Sequence, residues 1–259
     1  MSVLIRLVPA LAASVALAAA AGAAHTEAAG PALLPDLDQE TPAKLVVTQA
    51  GSEYRLGFRS AVRNVGDGPL IILGARHDRG VDTMVADQAI ARRGSPQQVL
   101  DGVGRLRYVV SPDHRHWHLL GFERYELRRP GGGVALVRDR KTGFCLGDRY
   151  EAGDGALAPK RYRSRCGLGQ PRLLGITQGI SVGYGDAYGA NLEGQYLPLA
   201  GLPEGRYLLV HRVNVDRRIR ERSYANNAAS VLLDLRWRAG IPHLAVIAAC
   251  PDSARCATR

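Results

Sequence analysis

A chain of 259 residues can bury one sizeable core, and all-β sandwiches of this size are commonly single domains. The formal charge of +10 is almost wholly arginine, since Lys44, Lys141 and Lys160 are the only lysines. Compositional bias toward Arg, Ala and Gly accounts for most of it. Charge of this sign attracts anionic envelope polymers or lipids, but the arginines form no tract with interleaved aromatics, which argues against a nucleic-acid-binding surface.

Residues 1–24, MSVLIRLVPALAASVALAAAAGAA, have the form of a secretory signal: Arg6, then a Leu/Val/Ala run, then small residues suited to cleavage near Ala23 or Ala24. An uncleaved anchor is the alternative. Cleavage leaves about 235 residues in an extracellular or periplasmic setting, and no later segment is long and apolar enough to span a bilayer. Residues 25–43 carry three prolines and no sustained period, so an extended lead-in is expected there. A domain over 44–238 follows, then a C-terminal tail at 239–259.

Within the domain, short runs of β character such as KLVVTQA, YRLGFRSAVRNV, GPLIILG, RLRYVV, HLLGFERYELRR and SVLLDLRWR alternate with Gly/Pro turns. The alternation is well developed at 206–215, with Tyr207, Leu209, His211, Val213 and Val215 on one face. Strands separated by turns every ten or so residues predict an all-β, compact β-sandwich-like domain. The single candidate helix is Thr83–Arg92, TMVADQAIAR, which reads equally as a strand. Residues 141–199 are Gly- and Tyr-rich and fit no regular period, and so long an irregular stretch in a compact domain implies a staple or a function. Four cysteines in an exported chain fit two disulfides with three possible connectivities. Proximity favours Cys145 with Cys166 and Cys250 with Cys256.

Three stretches carry chemistry. Asp113-His-Arg-His-Trp-His118 places His114, His116 and His118 at alternate positions, one face of a strand. Neutral imidazole suits copper, zinc, iron and nickel, and spacing does not choose among them. A regular strand, however, spreads His114 and His118 about 13 Å apart at Cα, so three-fold ligation requires the backbone to bend or leave the sheet. The second stretch is Lys141-Thr-Gly-Phe-Cys-Leu146, where a lysine beside apolar residues is open to desolvation toward its nucleophilic amine form. The third runs from Gln178 to Ala190, where Tyr184, Asp186 and Tyr188 alternate among glycines that permit close approach of other groups.

Taken in order, His114-Arg-His-Trp-His118, Lys141-Thr-Gly-Phe-Cys-Leu146, Gln178 through Ala190, and Ser223-Tyr-Ala-Asn-Asn227 resemble the lysyl oxidase family of copper-dependent amine oxidases, across roughly residues 44–236. The resemblance implies copper (Cu2+) on His114, His116 and His118. It also implies a lysine tyrosylquinone cofactor built from Lys141 and Tyr188, with Asp186 as general base or quinone orienter. The implied reaction converts primary amines, peptidyl lysine among them, to aldehydes with O2 as acceptor and hydrogen peroxide and ammonia as products. With few cysteines and no long propeptide, the chain looks like a compact bacterial-type member, so a collagen or elastin substrate is not implied. Association with anionic cell-envelope polymers is a further expectation from the charge. Two other readings compete: a non-catalytic secreted β-sandwich that binds metal or envelope polymers, and a zinc hydrolase, which lacks an acidic base in motif spacing.

Overall fold

The computed structural model describes residues 29–112, 114–138, 141, 143–153, 157–192 and 194–256. The signal-like segment 1–24 and Asp113 lie outside them. Among the described residues every regular element is a strand: β1 (Ala32–Leu33), β2 (Leu37–Gln39), β3 (Ala43–Ala50), β4 (Glu53–Asn64), β5 (Leu70–Ala75), β6 (Thr83–Arg92), β7 (Ser95–Val110), β8 (Arg115–Leu120), β9 (Glu123–Arg128), β10 (Ala135–Arg138), β11 (Gly143–Phe144), β12 (Tyr150–Glu151), β13 (Gly175–Ile180), β14 (Tyr184–Tyr188), β15 (Tyr196–Pro198), β16 (Gly205–Val213), β17 (Ala228–Arg238) and β18 (Ile241–Cys250). No helix among these residues is long and apolar enough to cross a membrane.

The strands form three antiparallel sheets. One has the order β11-β8-β7-β6-β5-β13, with β1 on β6; the second is β10-β9-β16-β17-β18; the third is β12-β14-β4-β15, with β2 and β3 also on β4. Alternation along each strand sends one set of side chains inward. Phe58, Trp117, Tyr125, Tyr207, Leu209 and Val231 from the three sheets thus meet in one core. On the outer face of the second sheet, Leu208, Val210 and Leu232 pack with Cys256 in a smaller cluster. The fold is the all-β, sandwich-like one that the turn spacing implies, and it carries the disulfides Cys145–Cys166 and Cys250–Cys256.

The helix considered at Thr83–Arg92 is strand β6, with β5 on one side and β7 on the other. Met84, Ala86, Gln88 and Ile90 alternate into the interior, so two flanking ladders and period-two burial override the local helix-forming residues. The Gly/Tyr-rich stretch 141–199 is also more regular than its sequence, because β13 joins β5 and β14 joins β4. The sheets extend beyond 44–238 on both sides. Leu37 of the lead-in is fully buried and β2 pairs with β4, while the tail supplies β18, paired along β17.

The lead-in is fixed by the hairpin between β16 and β17. Glu221, buried beside that turn, accepts hydrogen bonds from Leu37 N (2.7 Å), Asn214 Nδ2 (2.6 Å) and Asn227 Nδ2 (2.8 Å). Asn226 Nδ2 donates to Asp36 Oδ1 at 2.8 Å, and Arg222 Nε to Asp36 Oδ2 at 2.9 Å. The Ser223–Asn227 motif is therefore a structural clasp, whose contacts run to Asp36 and Glu221. Replacing Glu221 with Ala strands three buried donors, and we expect a loss of about 2–4 kcal/mol. A lower urea midpoint at unchanged slope would show it.

Candidate metal and lysine–tyrosine site

The histidine geometry is settled by where β8 begins. The turn after β7 closes on itself, Ser111 N donating to His114 O (2.8 Å) and His114 N to Ser111 O (3.2 Å). His114 thus lies off the strand, whereas His116 and His118 sit in the β7–β8 ladder opposite Val109 and Arg107. With its first member on a turn, the trio converges: the ring centroids are 5.3, 5.0 and 4.6 Å apart, and the ligand nitrogens fall within 4.8 Å of one another. Tetrahedral ligation at about 2.0–2.1 Å puts ligand nitrogens about 3.4 Å apart, a small contraction from this arrangement. Trp117 points the other way, into the core.

Burial, then the neighbouring histidines and Lys141, pull His118 down to about 2, and burial followed by His114, Arg149 and Lys141 pulls His116 to about 4. Both imidazoles are therefore neutral near pH 7, the form that binds a cation. Gly143 lets β11 approach this cluster, since a Cβ there would stand 2.7 Å from His118 Cβ.

Lys141 lies between the histidines and the tyrosine. It is buried and lines a cavity of about 740 Å³ together with His114 and His118. Its Nζ stands 4.6 Å from the Tyr188 ring centroid and 5.1 Å from that of Phe144. Tyr188 and Asp186 come from β14, paired to β4 at Ser60 and Val62, and Asp186 has no exposed surface. The structure brings together His114, His116, His118, Lys141, Asp186 and Tyr188, whereas the Ser223–Asn227 motif lies against Asp36 and Glu221.

Arg149, which the sequence did not distinguish, completes the arrangement. The Tyr188 hydroxyl lies 2.8 Å from both Cys145 O and Asp186 Oδ2. Arg149 Nε donates a short hydrogen bond to Asp186 Oδ1, its Nη2 donates to Cys145 O at 3.2 Å, and its guanidinium carbon is 5.0 Å from the Tyr188 ring centroid. Arg149 therefore holds both groups that hold the phenol. No spacing rule marks one more arginine in so arginine-rich a chain. Burial pushes Asp186 up to about 7 against the pull of Arg149 and the Tyr188 hydrogen bond, with the Glu123 charge adding to the rise. Burial and the Asp186 charge also raise Tyr188 well above an ordinary phenol.

Behind Tyr188 runs a second buried polar chain. His211 Nε2 meets Glu123 Oε2 at 2.7 Å, Tyr125 hydroxyl donates to the same oxygen at 2.7 Å, and Ser60 Oγ lies 2.9 Å from that hydroxyl. Gln195 Nε2 then donates to Ser60 Oγ (2.8 Å) and to Tyr188 O (3.4 Å). The chain ties the end of β14 to the core.

The β-sandwich thus carries a three-histidine cluster able to hold a metal ion beside a buried lysine–tyrosine pair. The lysyl oxidase family model matches residues 98–241, a window that holds His114, His116, His118, Lys141, Arg149, Asp186 and Tyr188, and the chain belongs to that family. It is 28% identical over 128 residues to the human protein-lysine 6-oxidase, covering 48% of this chain and 27% of that protein. It is 30% identical over 125 residues to lysyl oxidase homolog 2 of Gallus gallus and 29% over 126 residues to human lysyl oxidase homolog 3. Each of those alignments covers 48% of this chain and 15% of the relative, so the chain spans well under half the length of the curated relatives it matches.

A carboxyl raised in the fold binds more protons there than in the unfolded chain. Its stabilisation is complete below about pH 4 and is lost as pH rises toward 7. Asp186 acts in this direction, as does Glu221, which burial also raises to about 7. The lowered His116 and His118 act the other way over the same range, their stabilisation being lost as pH falls below the ordinary imidazole value, so the Asp186 contribution is read as a difference between variant and parent. Relative to the parent, chemical-denaturation stability of Asp186→Asn should fall less, or rise more, between pH 4 and pH 7, whereas Arg149→Gln should carry the Asp186-linked loss to higher pH, because it removes the cation that favours the Asp186 carboxylate.

Proposed function

We propose that this chain is an exported, copper- and quinone-dependent amine oxidase that converts primary amines to aldehydes with release of hydrogen peroxide and ammonia. The observation that carries the reading is the position of Lys141, 4.6 Å from the Tyr188 ring and lining the same cavity as His114 and His118. A lysine tyrosylquinone requires an amine within reach of a tyrosine ring, and oxidation of that ring requires a redox metal close by. Family membership and the motif order support the same reading.

His114, His116 and His118 fit copper because they present three converging imidazole donors, of which His116 and His118 are held neutral near pH 7. Copper bound there, with the quinone made from Lys141 and Tyr188, would supply O2 activation and an electrophilic carbonyl. The chain's own residues do the rest. Lys141 Nζ is held near the Phe144 and Tyr188 rings, 5.1 and 4.6 Å from their centroids. Cys145 O and Asp186 Oδ2 fix the Tyr188 oxygen, and Arg149 fixes both acceptors. Asp186, raised to about 7, holds or accepts a proton near neutral pH, as a general base must. The cavity admits the substrate amine beside Lys141, and burial around the ring excludes water.

The leader-like segment and the two disulfides support an extracellular or envelope location. The substrate class proposed is small primary amines or envelope-associated lysyl groups, in keeping with a compact bacterial-type member. Copper-loaded protein should release peroxide with a primary amine and stain for quinone. Lys141→Arg and Tyr188→Phe should each reduce both signals to background while keeping one equivalent of copper, and His116→Ala should lose the copper as well. A protein that binds copper but gives neither peroxide nor quinone stain would favour the non-catalytic metal-binding reading.

A further inference from the structure

The outer face of the second sheet carries a separate feature. A cavity of about 530 Å³ is lined by Arg128, Pro130, Gly131, Gly132, Gly133, Arg206, Leu208, Leu232, Arg255 and Cys256. Three of these are arginines and none is a carboxylate. We propose that this cavity is a binding site for a phosphate-class oxyanion, distinct from the lysine–tyrosine site.

The case rests on how the charges are distributed. Arg128 is 8% exposed, and its Nε is buried without an acceptor. Its Nη2 donates a short hydrogen bond to Ala254 O, and the nearest carboxylate, Glu126, stands 3.8 Å from Nη1. Glu126 also makes a short ion pair with Arg212. Asp234, which faces Arg206 across the β16–β17 ladder, is held by Arg236 at 2.8 Å. Glu126 is thus shared between Arg128 and Arg212, with the closer contact to Arg212, and Asp234 is held by Arg236, while Arg128, Arg206 and Arg255 share the cavity wall.

Burying an arginine among other cations is unfavourable unless an anion compensates it. In keeping with this, burial and the Arg212 charge, with a further push from Arg255, lower the proton affinity of Arg128 against the pull of Glu126. The planar guanidinium fork matches the oxygens of a phosphate group. The small disulfide gains a purpose as well. Cys250–Cys256 closes the loop that presents Arg255 and places Ala254 O against Arg128.

The phosphate group has two possible sources, free inorganic phosphate or the phosphodiester of an envelope lipid. Calorimetric titration of the exported protein with inorganic phosphate at fixed ionic strength tests the site directly. One saturable site is expected, weakened at least about tenfold in an Arg206→Gln/Arg255→Gln double variant and unchanged in Arg172→Gln, an exposed arginine outside the cavity. Both arginines of the double variant are exposed, so its fold should be retained, and an unchanged melting temperature would check this. Cosedimentation with phosphatidylglycerol vesicles, lost in the double variant, would assign the lipid source. Phosphate binding without vesicle binding would assign the free anion. The proposal is overturned if phosphate produces no saturable binding, or if the folded double variant binds phosphate and vesicles as tightly as the parent.

Discussion

The site is organised around one constraint, the fixing of a single phenolic oxygen by two acceptors. The Tyr188 hydroxyl faces Cys145 O and Asp186 Oδ2 at equal distance, yet a phenol has one proton to give. The arrangement is relieved when Arg149 neutralises Asp186 and draws on the Cys145 carbonyl, or when Asp186 carries a proton and donates back. Its folded pKa near 7 puts both states within reach at neutral pH. The remaining structure supports this circuit: the Cys145–Cys166 disulfide anchors one acceptor, the β14–β4 ladder the other, and Gln195 holds the Tyr188 carbonyl.

The histidine cluster obeys a different constraint, the length of a strand. Three alternate residues on one regular strand are too far apart to share an ion. The chain meets this by ending the ladder at Arg115 and returning His114 on the Ser111 turn. Two members keep the rigidity of a paired strand and the third moves inward. Gly143 then brings β11, and with it Lys141 and Phe144, against the same strand. The histidines and the amine are thus assembled by β8, β11 and their immediate loops in one sheet, and the ring is brought to them by β14 of another.

Much of this was legible in the sequence. The histidine spacing, the lone lysine in an apolar setting and the Asp186–Tyr188 alternation were visible as motifs, and turn spacing indicated a β-sandwich. What escaped was set by long-range pairing. Thr83–Arg92 has residues tolerated in a helix and becomes a strand only because β5 and β7 flank it. Arg149 cannot be told from the other arginines until the fold places it beside Asp186. The Ser223–Asn227 stretch was legible as a motif, but its role as a clasp on Asp36 and Glu221 depends on partners far away in the chain. Likewise the net positive charge said nothing about where it gathers, and the outer cavity emerges only when Arg128, Arg206 and Arg255 meet across β9, β16 and the C-terminal loop.

The central claim is that Lys141 and Tyr188 are placed to become one cofactor. Peptide mapping by tandem mass spectrometry of exported protein grown with copper tests it most directly. The account predicts a single cross-linked species joining the Lys141 peptide to the Tyr188 peptide, with the mass of an oxidised tyrosine ring, and its absence from protein prepared without copper. Copper-replete protein in which both peptides are recovered separately and unmodified would contradict it.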